Sequence, residues 1–298
     1  MENISLILSD LDGTLFRNDK SISDFTKQMI ARAQASGILF GISTARASVN
    51  AVKFLDGIKP DVFISNGGGL VMCGSKKIYS CEFTPEETRS LIDAAFEFCG
   101  APDAGFNNVP GDGLNNAPGA GLNNDAGSRD CTSLNTDGLN NYVTISIDNE
   151  KGLYCNSTKE LGDKFWTFTD FKDFNGTCMK MCIETQDREK VAKVASVIGE
   201  DNVEYLPFSD IPWYKLSKRG ATKEKAIEAL CKSLNISPKN IAAFGDDFND
   251  IGMLTLCGTG VAMSNAIKEV KDAANEVCLS NEEDGVAHWI EKLLESRV

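Results

Sequence analysis

Short apolar runs separated by helical periodicities dominate both ends of the chain. Residues 4–8 form an apolar run of strand length, as do Leu39–Ser43 and Val62–Ser65. Between the first two, Phe25, Met29, Ile30 and Ala33 recur at helical spacing, which predicts an amphipathic helix over 23–36 that ends at Gly37. Strands apolar on both faces that alternate with helices predict a parallel sheet covered by helices. The same alternation returns later. A helix is predicted over Lys223–Leu234, a buried strand over Ile241–Phe244, helices over Ile251–Cys257, Ala266–Ala274 and Val286–Leu294, and short strands at Val261–Met263 and Val277–Leu279.

The middle of the chain reads differently. Thr84, Pro85 and Glu87 make a capping-box start for a helix over 84–99, with Leu91, Ile92, Ala95 and Phe96 inward. Tyr142–Asp148 and Met179–Glu184 alternate as strands, and Gln186–Ile198 is helical. These elements predict a smaller α+β domain over 84–208, inserted into an α/β domain made of 1–83 plus 209–298. Residues 100–141 carry near-copies, Gly105-Phe106-Asn107-Asn108 and the Gly-Leu-Asn-Asn tetrads that begin at 113, 121 and 138. This Gly-, Asn- and Asp-rich segment has too few apolar anchors to offset its ordering entropy and reads as a mobile loop.

Composition narrows the class. The chain has 298 residues, 42% hydrophobic and 24% charged, as in a soluble globular protein. Its net charge of −13 disfavours a nucleic-acid partner bound through a broad basic face. The N-terminal apolar run is too short for a secretion signal, and no run approaches the roughly 20 residues of a membrane span. The expectation is a cytoplasmic protein with no membrane partner. Ten cysteines occur without a CxxC, and His288 is the single histidine, so they read as reduced, mostly buried thiols and not as a zinc or disulfide framework. Trp213 and Trp289 read as packing residues, and His288 as a boundary residue.

Four polar clusters fall at predicted strand ends or a helix start, where open α/β sheets bind ligands. They are Asp10-Leu11-Asp12-Gly13-Thr14, Ser43-Thr44-Ala45-Arg46, Lys223, and Gly245-Asp246-Asp247-Phe248-Asn249-Asp250. Gathered carboxylates need a hard divalent cation to stay ionised together, and oxygen donors of this kind suit Mg²⁺. Such a cation can clamp a phosphoryl group while one carboxylate attacks phosphorus and another transfers protons. A threonine hydroxyl and a lysine ammonium would stabilise the transferring group.

In order and spacing these clusters resemble the haloacid dehalogenase superfamily, most closely its Cof-type phosphatases. The resemblance covers 4–83 and about 210–290 and extends to Ser65-Asn66-Gly67-Gly68, Gly260-Val261-Ala262-Met263-Ser264-Asn265-Ala266 and Glu283-Asp284-Gly285-Val286-Ala287. It implies a Rossmann-like core with a C2-type cap, and a Mg²⁺-dependent phosphatase for small phosphorylated metabolites such as sugar phosphates, FMN or PLP. It further implies Asp10 as nucleophile and metal ligand, and Asp12 as general acid/base that lends a carbonyl to the metal. Asp246 and Asp250 complete the metal set, Thr44 and Lys223 bind phosphoryl, Asn249 contacts phosphate or a ligand carboxylate, and Arg46 and Asn66 contact substrate. Lys218 competes with Lys223 for the phosphate site, although Ala226, Leu230 and Leu234 follow Lys223 at the family's helical spacing. Glu224 and Ala45 stand where the family usually has glycine.

Two other readings stand beside it: a phosphomannomutase-like phosphotransferase on the same scaffold, and, from a different class, a non-enzymatic phospho-acceptor switch. Deleting 104–140 is expected to leave hydrolysis of a small aryl phosphate nearly intact. A collapse of soluble expression would count against the mobile-loop reading.

Overall fold

The computed structural model describes residues 4–100, 143–157, 166–208 and 211–297; the expected mobile loop, apart from Gly100, lies outside the described residues. In chain order the first elements are β1 (Leu6–Ser9), α1 (Asp24–Ala35), β2 (Leu39–Ser43), α2 (Ser48–Ala51), β3 (Val62–Ser65), β4 (Leu70–Cys73) and β5 (Lys76–Ser80). Then come α3 (Pro85–Ala94), β6 (Ile145–Asn149), β7 (Gly152–Cys155), β8 (Trp166–Phe168), β9 (Lys180–Glu184), α4 (Arg188–Ser196), β10 (Val203–Pro207) and β11 (Trp213–Lys218). The last are α5 (Lys223–Leu234), β12 (Ile241–Gly245), α6 (Ile251–Leu256), β13 (Thr259–Ala262), α7 (Lys268–Ala273), β14 (Glu276–Val277) and α8 (Gly285–Glu295).

The chain divides into two compact units, Met1–Cys81 with Gly220–Val298, and Glu82–Arg219. The first holds a sheet of order β14-β13-β12-β1-β2-β3-β4-β5. Its strands from β14 to β3 are parallel, and their near-continuous apolar runs bury both faces under helices, as the alternation predicts. Beyond the expected parallel strands, β4 and β5 extend the sheet past β3 as an antiparallel hairpin. Glycines at 67–69 and 74 punctuate that segment and hide its strand pattern from the sequence. Gly41 in β2 has a packing reason, because a Cβ there would come within 2.6 Å of Leu8 Cδ2 and 3.0 Å of Val62 Cβ.

The second unit is one sheet of order β10-β11-β9-β6-β7-β8, with one face packed on α3 and α4. Expected as the start of the returning core, Trp213–Lys218 instead pairs with β9 and β10 in this sheet. The cause is cross-strand pairing, which a break in local pattern does not reveal. The helix expected over 84–99 also differs: its α-helical part stops at Ala94, and Ala95–Cys99 forms a wider π turn that keeps Ala95 and Cys99 buried.

Among the described residues no helix is long and apolar enough to cross a membrane, and the nine described cysteines are free thiols. Trp289 packs edge-on against Phe244 and donates its indole N–H to Glu276, and His288 lies against Phe25 at the surface of α8.

The α3 start carries a checkable energy. Thr84 accepts from Glu87 N at 3.2 Å, and Glu87 Oε2 accepts from Thr84 N at 2.8 Å. Thr84→Ala is expected to lower the unfolding free energy by about 1 kcal/mol, read from the urea midpoint. An unchanged midpoint would show that the box contributes nothing.

Candidate active site

Parallel register assembles the site. Ser9 of β1 pairs with Phe244 of β12 and with Ile42 of β2, and Ser43 of β2 pairs with Ile64 of β3. The residues just past these strands, Asp10, Asp246, Thr44 and Asn66, therefore emerge at one edge of one sheet. Asp10 is fixed there by its own N–H, which donates to Phe244 O at 3.0 Å.

Lys223 opens α5, with Thr222 as its N-cap. Its ammonium donates to Asp10 Oδ1 at 2.7 Å, Asp250 Oδ1 at 2.6 Å and Ser43 O at 2.7 Å, so all three protons are engaged. Close backbone approach holds the α5 start: Gly68 has φ +104°, and a Cβ there would lie 2.1 Å from Thr222 O. Only glycine tolerates both conditions. Lys218, the competing lysine, is elsewhere, paired with Glu87 at 2.8 Å in the second unit.

Asp250 organises its own loop. Its Oδ2 accepts from the N–H groups of Asp246 and Asp247 at 3.0 and 3.1 Å. Asp246 is steered from the other side, where Thr14 donates its hydroxyl to Asp246 Oδ1 at 2.6 Å. Gly13 lets the two loops meet, since its φ is +76° and a Cβ would sit 2.3 Å from Asp246 Oδ2. Asn265 braces that turn by donating to Gly13 O at 2.8 Å, and it accepts from Asn281 N at 3.1 Å.

Asp12 faces a different neighbourhood. Arg46 holds it in a fork, Nε to Oδ2 at 2.5 Å and Nη2 to Oδ1 at 2.6 Å, and Lys20 adds a third contact to Oδ1 at 2.8 Å. The guanidinium is flanked by Phe54 and Phe16, its carbon 5.2 and 5.8 Å from the ring centroids. Thr44 is buried, and its hydroxyl accepts from Arg46 N at 3.1 Å. Asn66 is buried with its N–H on Arg46 O. Asn249 is exposed.

Charge follows this geometry. Burial pushes Asp10 well above the ordinary carboxylate range, against the pull of Lys223 and with help from Asp250 and Asp246. Burial also raises Asp246 to about 6, opposed by the Thr14 hydroxyl and reinforced by Asp250. Asp12 is the opposite case: burial works to raise it, but Arg46 and Lys20 together outweigh that and hold it below its usual value. For Lys223 burial works against the charge, yet Asp10 and Asp250 raise its pKa. Carboxylate oxygens of Asp10, Asp246 and Asp250 lie within 4.8 Å of one another. A hard-oxygen set this tight fits a divalent cation.

A family model for haloacid dehalogenase-like hydrolases matches residues 7–107 and 123–290. The chain belongs to the haloacid dehalogenase-like hydrolases. It is thus an enzyme, of Cof type within that superfamily. It is 28% identical to phosphatase YwpJ of Bacillus subtilis, with 98% of this chain and 100% of that protein covered. It is 26% identical to YwtE of the same organism, a 5-amino-6-(5-phospho-D-ribitylamino)uracil phosphatase, with 97% of each chain covered. In fold it resembles a haloacid dehalogenase-like hydrolase from Bacteroides thetaiotaomicron, TM-score 0.71 at 21% identity, with 97% of this chain and 99% of that chain covered.

Two side chains at this site, Lys20 and Thr14, received no role from the sequence. Thr14 stood inside the first motif, but Lys20 had no motif to mark it. Its reach to Asp12 depends on a turn in which Lys20 itself has φ +67°.

Removing the central cation tests this electrostatic arrangement. Lys223→Met is expected to cost about 3 kcal/mol of stability in chelator-treated protein, because it strands buried carboxylates. The check is urea unfolding beside Lys225→Met, an exposed neighbour expected to change little.

Proposed function

We propose that the chain is a cytoplasmic, magnesium-dependent phosphatase of small phosphorylated metabolites that works through an aspartyl-phosphate at Asp10. The observation that carries this reading is the state of the Asp10 carboxylate. Its Oδ1 is held by Lys223, whereas Oδ2 has no hydrogen bond among the described residues. One oxygen is thereby anchored; the other would become the attacking oxygen once a divalent cation beside Asp246 and Asp250 offsets the burial that favours the neutral acid.

In the first half-reaction Asp10 Oδ2 bonds to phosphorus as the bond to the leaving oxygen breaks. That oxygen takes a proton from Asp12. In the second, water attacks the phosphoryl group, gives its proton to Asp12, and the Asp10–phosphorus linkage breaks to release phosphate. Arg46 and Lys20 favour ionised Asp12, which suits the proton-accepting half. The donating half needs one of these cations to turn away. Lys20 is the freer, because its side chain is 36% exposed whereas that of Arg46 is 5% exposed.

Asp10, Asp246, Asp250 and the Asp12 carbonyl would hold Mg²⁺, which when bound neutralises charge on the phosphoryl oxygens. Asp250 already accepts from Lys223 and two backbone N–H groups, so its part is to fix the Asp246 loop as much as to ligate. Thr44 steadies the phosphoryl group, and Lys223, its three protons taken by Asp10, Asp250 and Ser43 O, acts on it through its charge; Asn249, Asn66 and Arg46 line the approach. The Glu82–Arg219 unit acts as the cap that selects the leaving group. The name of YwtE, a 5-amino-6-(5-phospho-D-ribitylamino)uracil phosphatase, supports a small phosphorylated metabolite of the sugar phosphate, FMN or PLP class as the substrate.

Phosphate release from a panel of phosphorylated metabolites tests the reading. With Mg²⁺ the wild type should turn over at least one, and Asp10→Asn should fall by roughly 10³-fold or more in kcat. EDTA should abolish turnover, and added Mg²⁺ should restore it. Retained activity in Asp10→Asn would falsify the assigned nucleophile.

A further inference from the structure

Two segments of the family resemblance, 260–266 and 283–287, supply no group to the proposed phosphoryl or metal set. They converge instead, with the residues beside them, on one turn. After β1 the chain folds back on itself: the N–H groups of Thr14, Leu15 and Phe16 all donate to Leu11 O, at 3.4, 3.1 and 2.8 Å. Asp12 lies inside that turn. A second bend follows at once, in which Lys20 N donates to Arg17 O at 2.9 Å. Gly13 O and Phe16 O find their donors in distant parts of the chain.

Both donors are asparagines. Asn265, after β13, donates to Gly13 O at 2.8 Å. Asn281, in the loop between β14 and α8, donates to Phe16 O at 2.9 Å and to Asn18 Oδ1 at 3.3 Å, which uses both of its amide protons. The pair is joined, because Asn281 N donates to Asn265 Oδ1 at 3.1 Å. Asn281 is 4% exposed, so water competes little for these bonds. The same loop adds two carboxylates. Glu282 accepts from Asn18 N at 2.6 Å, and Asp284 accepts from Arg17 Nη2 at 2.7 Å and from Thr26 Oγ1 at 3.3 Å. Asp12 thus sits between two fixed points, Asp10 N on Phe244 O and Gly13 O on Asn265. The ring of Phe16 also flanks Arg46, whose guanidinium forks Asp12.

We infer that Asn281 is a positioning residue for proton transfer by Asp12. Its hold on Phe16 O fixes a ring beside Arg46, and its hold on Asn265 fixes the peptide next to Asp12. Proton transfer needs hydrogen-bond reach, so a shift on the order of 1 Å in that carboxylate is costly. Asn281 acts through the turn and not on the substrate. The inference rests on the reading of Asp12 as the proton carrier of a phosphatase.

Leaving-group dependence of kcat/KM reads this role, because kcat/KM covers the steps through departure of the leaving oxygen. Ribose 5-phosphate releases an alkoxide that needs a proton, whereas p-nitrophenyl phosphate releases a phenolate that is stable without one. Asn281→Ala should lower kcat/KM by roughly tenfold for ribose 5-phosphate and by less than about threefold for the aryl ester. Asn265→Ala, at an exposed position, should show the same selective loss, and it decides the matter if Asn281→Ala does not fold. Asp12→Asn sets the pattern, with a loss of about 10²-fold or more that falls mainly on the sugar ester. Asn275→Ala is the control. Its amide oxygen accepts from Gly260 N at 2.7 Å, so its loss should lower the urea midpoint and leave the ratio of the two substrates unchanged. A brace with no part in proton transfer would lower both substrates together. Equal losses or none in the folded variants, or the same selectivity in Asn275→Ala, overturn the inference; a selective loss in Asp12→Asn then leaves the phosphatase reading standing. Equal losses in Asp12→Asn overturn its proton-carrier role and this inference with it. Wild-type turnover of the aryl ester alone overturns the inference, and turnover of neither substrate overturns the phosphatase reading as well.

Discussion

The ammonium of Lys223 ties the first unit's site together. It joins the end of β1, the end of β2 and the loop after β12 by touching Asp10, Ser43 O and Asp250 at once. Strand ends in a parallel sheet are loose by themselves, because each continues into a connecting loop. A buried cation with three fixed acceptors sets their spacing. It also sets their charge, since Asp10, Asp246 and Asp250 would otherwise confront one another with little water between them. Glycines 13 and 68 serve the same end: each removes a Cβ where another loop must come close.

Asp10 and Asp12 are two residues apart and chemically unlike. Asp10 shares its lysine with another carboxylate and is pushed toward the neutral form by burial. Asp12 has two cations to itself and is held ionised. The difference comes from position on the turn after β1: one side chain lies over the sheet edge, and the other meets Arg46 between two phenyl rings. The two environments thus drive the pKa values of neighbouring carboxylates in opposite directions, Asp10 up and Asp12 down.

The second unit follows a different rule. Alternation sorts apolar residues to the α3 and α4 side of its sheet and leaves polar side chains on the other. Most of those polar groups are matched, as Lys180 and Asp148 are.

Much of this was legible in the chain itself. Apolar period and turn residues located β1, α1, β2, β3, α5 and β12, because those signals are local. The acidic and threonine motifs stood at strand ends, and the lysine at a helix start, for the same reason. Three things waited for tertiary structure. The choice between Lys218 and Lys223 depended on which sheet each joins: Lys218 ends β11 and pairs with Glu87, whereas Lys223 starts α5. The partners of Asp12 came from residues 20 and 46, brought together by a turn and a parallel register that no short window contains. The place of β11 in the second sheet is a matter of cross-strand pairing. Sequence fixes what each segment prefers locally; only the register of distant strands decides which charges meet.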